Sequence, residues 1–427
     1  MRPESIAVLE REVPYMNRKV IALTTMALVT TIASNAWCAD TPQFRGPERD
    51  GKFQETGLLK TWPEGGPEHT WTAEGIGQGY ASVAVVDGVV YVPGMLDDNE
   101  GYLFAIDLNG KELWRQKYST ETLDRQAPGS RGTPTIDGDR IYVMSGLGVL
   151  TCMAKADGKQ IWQVDVKAVF KGQDTSWGFS ESPLVDGDMV FATPGGQDAS
   201  IVALDKMTGD TIWTSKGLSE ASAYCSPIIF TFGDRRVLTT MTAKSVVGLD
   251  VKTGETLWTH PHETDYDIHA VTPACSGNVI YYTAGYGSGG GALDVSADGT
   301  KVTQKWLDKN LDCQHHGVVL HDGYIYGTGH KNGELMCLEL ETGKLMWKSD
   351  TISQGDVVFA EGMLYVYEGP KKGIVSLVKA TSTGCEVSGS FEIPKGKDKH
   401  WAHPAIANGL LFIRHGGNLY AYKISSK

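Results

Sequence analysis

The chain has 427 residues, among them 51 Gly and 11 Trp, with 41% hydrophobic and 21% charged residues. That is too long for one ordinary domain unless the architecture is a repeat, a barrel or a propeller, and Gly and Trp enrichment without long helical stretches points to an all-β fold with many tight turns. The net charge of −12 excludes a nucleic-acid partner, which needs a basic face.

Residues 1–39 read as an export signal. Arg18 and Lys19 form a positive n-region, Val20 to Ile32 is an apolar stretch too short to span a bilayer, and Ala36 and Cys38 end two small-residue cleavage sites. Met16 is a candidate start, because residues 1–15 add two prolines and three glutamates that a signal does not need. Trp37 fits a lipobox poorly, so cleavage is expected rather than lipid attachment at Cys38. No later segment is apolar enough to cross a membrane. The mature protein is expected outside the cytoplasm, periplasmic or extracellular, as a monomer. A lead-in, 40–68, follows, and a propeller is expected over 69–427.

The propeller reading rests on a repeat. Ile201-Val-Ala-Leu-Asp-Lys-Met-Thr-Gly-Asp-Thr-Ile-Trp213 recurs at Ser245 to Trp258 and Leu335 to Trp347, with looser copies ending at Trp114, Trp162 and Trp306. A seventh copy ends in Phe391, and an eighth, Leu419 to Ile424, stops short of its last strand. With Trp71, these aromatics fall 41 to 51 residues apart. Upstream of each lies a second hairpin, such as Thr133 to Val143 with Asp137-Gly138 at its turn. Two hairpins per unit predict eight four-stranded antiparallel blades. His69 to Ala73 is expected to supply the outer strand that the last blade lacks, closing the ring and hiding both edges. The eight aromatics are then structural wedges between blades. Cys152 and Cys337 occupy the small-residue position held elsewhere by Ala203 and Gly248, and read as buried apolar groups. No CxxC or adjacent pair exists among the cysteines, and their irregular spacing does not suggest a disulfide framework.

The run Ala203-Leu-Asp…Thr208-Gly…Trp213 resembles the tryptophan-docking motif of PQQ (pyrroloquinoline quinone)-type repeats. These build eight-bladed quinoprotein alcohol dehydrogenases and also the lipoprotein scaffold of the outer-membrane β-barrel assembly machine, which binds no quinone. Gln43-Phe-Arg-Gly-Pro-Glu-Arg-Asp-Gly51 and Trp177 to Gly187 are similar to segments of exported bacterial PQQ-repeat propellers without an assigned activity. The resemblance covers nearly the whole mature chain and implies a fold more than a chemistry.

Turns within hairpins are uniformly short, as at Asp87-Gly88 and Asp322-Gly323, whereas loops between blades are long and rich in ionisable groups. The functional face is therefore expected on the blade-to-blade loops. Residues just before each first strand should ring the mouth of the central channel: Tyr80, Arg131, Glu181, Tyr224, His269, His315 with His316, Asp356, and Trp401 with His403. If His315 and His316 are extended, only one faces the channel, and His321 lies on the opposite face. Glu181, Asp356 and His315 are the candidates for any catalytic role.

Three functions are compatible with this ring. The first is a binding or scaffold module for a protein or glycan ligand, with no confident cofactor or metal. The second is a PQQ-dependent alcohol dehydrogenase. The resemblance implies that such an enzyme holds its quinone over a disulfide between adjacent cysteines, with Ca²⁺ on Glu, Asn and Asp, and this chain lacks that cysteine pair. The third is a metal-dependent hydrolase or lyase using the mouth histidines, although no established ligand spacing is met. Gly285 to Gly290 matches GxGxxG but precedes a strand, so it reads as a turn. Asp97 to Glu100 reads as a solvated hairpin tip rather than a Ca²⁺ loop. The binding role is the expectation.

Overall fold

The structure, a computed structural model, describes residues 40–173, 176–369, 373–394, 396 and 398–427. Residues 1–39, where an export signal is expected, and Asp174 lie outside the described residues. Among the described residues eight antiparallel blades follow one another in chain order, and helix occurs at Val166–Val169 and as a turn of 3₁₀ helix at Asp265–Asp267. Blade 1 comprises Ala84–Val86, Val89–Met95, Glu100–Asp107 and Glu112–Thr120, each strand pairing with the next. Blades 2 to 7 repeat the pattern, beginning at Thr135, Leu184, Ile228, Ala274, Val319 and Gly355.

Blade 8 takes its inner three strands from Ala405–Ala407, Leu410–His415 and Asn418–Lys423. Its outer strand is Glu68–Glu74, with Trp71 opposite Ala421. The ring is thus closed by joining the two ends of the propeller, as the incomplete eighth repeat implies.

The blade motif has a simple steric basis. Across the outer strand pair, Trp114 faces Ala105, Trp162 faces Cys152, Trp213 faces Ala203, Trp258 faces Gly248, Trp306 faces Ala292 and Trp347 faces Cys337. A β-bulge follows each of these pairs. The partner must be small because the indole lies over it: a Cβ on Gly248 would meet the Trp258 ring at 2.2 Å. Each indole also reaches the next blade. Trp213 Nε1 donates to Val251 O at 3.0 Å, and Trp162, Trp306 and Trp347 make the equivalent bond. Gly254, at φ +69°, lies under Trp213 so closely that a Cβ there would meet its ring at 2.4 Å. Blade 7 departs from the rule: Phe391 faces Val375, and its ring packs against Tyr422 of blade 8 and Trp62 of the lead-in.

The apolar core is distributed between blades. One cluster joins Ala84, Tyr91 and Leu103 of blade 1 to Ile136, Ile141 and Val143 of blade 2, and similar clusters join each later pair. The largest unites blades 7, 8 and 1 with Phe53, Leu58 and Trp62 from the lead-in.

The lead-in has a position that periodicity does not disclose. Lys52–Phe53 pairs in parallel with Gly355–Ala360, the innermost strand of blade 7, making a five-stranded sheet. Residues 41–53 cross the central channel. Thr41 bridges Val85 of blade 1, Pro42 O accepts from Ile136 of blade 2, and Thr41 Oγ1 donates to Ile406 O of blade 8. The innermost strands are short, and this segment satisfies backbone groups they leave open.

Burying one indole against the adjoining blade's turn predicts a large penalty for its loss. Trp213→Ala is expected to lower unfolding stability by about 3–5 kcal/mol, read as a fall in the chemical-denaturation midpoint.

Candidate ligand-binding site at the channel mouth

Two buried arginines fix the plug. Arg49 donates to Ser182 O at 2.8 Å and Pro183 O at 3.0 Å on blade 3, and to Gln43 Oε1. Arg45 donates to Val318 O at 2.6 Å on blade 6 and Val357 O at 3.2 Å on blade 7, and approaches His403 Nδ1 at 3.0 Å. Blade 3 stands across an eight-membered ring from blade 7, so the two guanidiniums tie the segment across the channel's diameter. Gly51 and Gly317 make room for Arg45, since a Cβ on either would meet its guanidinium at 2.2 or 2.0 Å. Burial pulls both arginines down, Arg49 to about 10, although a guanidinium stays charged in a protein at neutral pH.

Above the plug, on the blade-to-blade loop face, lies a cavity of about 320 Å³. Phe44 contributes to its lining from the lead-in, against the edge of His403 at 4.9 Å between ring centroids. Tyr80, Arg131, Tyr224, His315, Trp401 and His403 of the expected ring also line it. So do Trp177, Tyr286, Gln126, Gln314 and a set of Ser and Thr hydroxyls, which the one-residue-per-blade pattern does not reach. Tyr286 comes from the turn at Gly285, held at φ +60°. Tyr266, 67% exposed, extends the aromatic surface by packing edge-on to Trp177 and Tyr286.

Glu181, His269, His316 and Asp356 do not line the cavity. The Glu181 carboxylate accepts from Thr193 N and the Thr193 hydroxyl, at the end of a blade 3 strand. His269 Nε2 meets His262 Nδ1 at 3.1 Å. His315 and His316 lie on a bend rather than in a strand. Only His315 reaches the cavity, yet the two rings lie against each other, tilted, with centroids 3.9 Å apart, instead of pointing apart. His321 lies at the far-face turn and packs on Phe359.

The imidazoles are held neutral. Burial lowers His315 to about 3 and pushes His316 and His403 well below their ordinary value. Arg45 can only donate, so His403 Nδ1 accepts from it and the proton sits on Nε2. That Nε2–H points to His315 O at 3.1 Å, with Asp356 Oδ1 at 3.4 Å. Both His403 nitrogens are therefore engaged, and the ring offers the cavity no acid or base. Asp356 is fully buried, and neither of its oxygens has a hydrogen-bond partner among the described residues. Burial raises its pKa well above the carboxylate range, against the opposing pull of Arg45.

Charge at the mouth is sparse. Arg131 donates through Nε to Ala127 O at 2.9 Å and through Nη1 to Trp177 O, with Asp124 at 3.8 Å. Burial lowers its pKa. Tyr80 donates to Asp398 Oδ1 at 2.6 Å, and Lys399 Nζ sits 4.0 Å from the centre of the Trp401 ring. No carboxylate is among the described lining residues. Among the described residues no group of three or more His, Cys, Asp or Glu could hold a metal ion, and the six described cysteines are free thiols.

Burial raises Glu181 from 4.5 to about 7. The folded protein thus keeps a proton that the unfolded chain releases. This group's contribution to stability is full below about pH 4.5 and is lost as pH rises through 7. The depressed histidines act oppositely, losing their contribution as pH falls from 6.5 toward 3. Glu181→Gln is expected to reduce the stability lost between pH 5 and pH 8 by on the order of 2 kcal/mol, measured by urea denaturation at both values. An unchanged pH profile would contradict the assignment.

Solved structures share the fold. BamB from Moraxella catarrhalis superposes with a TM-score of 0.60 at 14% identity, over 84% of this chain and 99% of that one. Quinohemoprotein alcohol dehydrogenase from Comamonas testosteroni gives 0.65 at 15%, over 92% and 82%. A europium-containing methanol dehydrogenase gives 0.66 at 11%, over 88% and 90%. No curated protein sequence matches the chain. Residues 99–349, more than half of the sequence, match the PQQ-type repeat family described as outer membrane protein assembly factor BamB, and the chain belongs to that family.

Proposed function

We propose that the protein is an exported binding scaffold that engages its ligand through the mouth cavity and the surrounding loops. The observation that carries this reading is the lining of the cavity. It is aromatic and hydroxyl-rich, closed below by the plug, and supplies no titrating group in a working state. A concave, mostly apolar site with a few placed polar groups is what ligand recognition requires. The family description, an assembly factor, supports a scaffold role. The apolar segment at Val20 to Ile32 supports export, and no helix among the described residues is long and apolar enough to cross a membrane.

The fold neighbours include two alcohol dehydrogenases, so the quinone reading has to be tested on residues. A calcium-bound quinone needs carboxylates facing the cavity. Glu181 is committed to Thr193, and Asp356 lies buried behind His403. Cys225 and Cys313, near Arg49 and Arg45 respectively, are separate buried thiols, raised by burial to about 11 and about 12. This donor set does not fit a calcium-bound quinone. Titrating the purified protein with PQQ and Ca²⁺, followed by absorbance, is expected to give no stoichiometric uptake and no alcohol-dependent dye reduction. Stoichiometric uptake with turnover would overturn the scaffold assignment.

A further inference from the structure

We propose that the mouth cavity receives the terminal ring of a glycan. The proposal rests on the binding role above and names its ligand class. The first support is the placement of aromatic walls. Tyr80 and Trp401 form one tilted pair, at 5.6 Å, ahead of blades 1 and 8. Trp177 and Tyr224 form a second, at 6.2 Å, ahead of blades 3 and 4. In an eight-bladed ring blade 8 stands opposite blade 4, so the pairs confront each other across the mouth. Aromatic faces carry negative quadrupole charge and attract the weakly positive C–H groups that a sugar ring presents on both faces.

The second support is the chemistry between the walls. Ser180, Ser226, Gln126 and Gln314 line the cavity and give it hydroxyl and amide groups that both donate and accept. Within the protein Ser180 Oγ donates to Tyr224 O, Ser226 Oγ accepts from Ser182 N and Gln314 Nε2 donates to the Tyr286 hydroxyl, so each keeps spare donor or acceptor capacity that a sugar's ring of hydroxyls can use and an apolar ligand cannot. A cationic ligand is disfavoured, because Arg131 stands in the wall and no described lining residue is a carboxylate. An acidic sugar is compatible with Arg131 and with Lys399 beside Trp401.

The third support is depth. The segment 41–53 blocks the channel beneath the cavity, and Phe44 comes from that segment, so a chain cannot thread through. A volume of 320 Å³ stands at the small end of the range of about 300–1,000 Å³ for ligand pockets. One ring, with part of a second, is what the site holds. Entry must be end-on.

The test is calorimetric titration of the purified protein, with intrinsic tryptophan fluorescence in parallel. The probes are glucose, N-acetylglucosamine and galacturonate, each as monomer, dimer and tetramer, and tripeptides carrying a central Phe, Tyr or Trp. At least one sugar series is expected to bind, with affinity rising from monomer to dimer and then flat to the tetramer. Trp401→Ala and Tyr224→Ala should each weaken it at least tenfold. Phe44→Ala, which deepens the floor, should restore a gain from dimer to tetramer; thermal melts of each variant separate lost binding from lost folding. Affinity that keeps climbing with length in the unmutated protein would overturn end-on entry. Binding of the peptides but not the sugars would overturn the ligand class and leave the scaffold reading intact. No response to any sugar at millimolar concentration would overturn the proposal, and PQQ uptake with alcohol oxidation would remove the scaffold reading with it.

Discussion

The Arg45 guanidinium is the contact on which the working end of the molecule depends. It lies in the channel, charged and without access to water, and is stable there only because backbone carbonyls of two blades and one imidazole accept from it. Those acceptors fix three things together. The plug is tied to blades 6 and 7, Phe44 is placed beside the mouth, and His403 is restricted to one tautomer. Replacing the cation with a shorter side chain would leave carbonyls and an imidazole nitrogen unpaired in the interior, while Gly51 and Gly317 would line an empty space.

This arrangement explains why the histidines at the mouth stay neutral. Clustered imidazoles beside a buried cation cannot all carry protons, and burial settles the matter in favour of the neutral forms. The nearby carboxyl groups do not charge them: Glu181 is bonded to Thr193 at a strand end, and burial favours the neutral form of Asp356, which lies 3.4 Å from His403 Nε2. What remains at the surface of the cavity is shape, aromatic faces and hydrogen-bonding edges. The same ring architecture is found in solved dehydrogenases and in an assembly factor, so the blades alone do not fix the chemistry of the mouth.

Much of the fold was legible because its determinants are close in sequence. A tryptophan and the small residue opposite it lie about ten positions apart, with the turn between them, so each copy announces itself. The missing outer strand of the last copy was legible for the same reason, through Trp71. The mouth was legible only in part. Position before a first strand places a backbone near the channel, but side-chain direction depends on local dihedrals. Tyr224, at φ +73°, reaches the cavity while Glu181 and His269 do not. Phe44 and Arg45 were out of reach altogether, because their partners lie hundreds of residues away: Arg45 and His403 are 358 apart. The motif Gln43 to Gly51 could be noticed, but nothing in its residues says that they cross a channel.

The pairing of Glu68–Glu74 with Asn418–Lys423 also governs how the molecule can be made. The strand translated first in the propeller has its mate among the last, and the plug ahead of it needs carbonyls from blades 3, 6 and 7. Until synthesis is nearly complete the chain is an open arc with a hollow centre and bare strand edges at both ends. Such long-range pairings make closure slow. A period of vulnerability before closure is therefore inherent in the topology, and a growing chain would need shielding at both exposed edges until its two ends met.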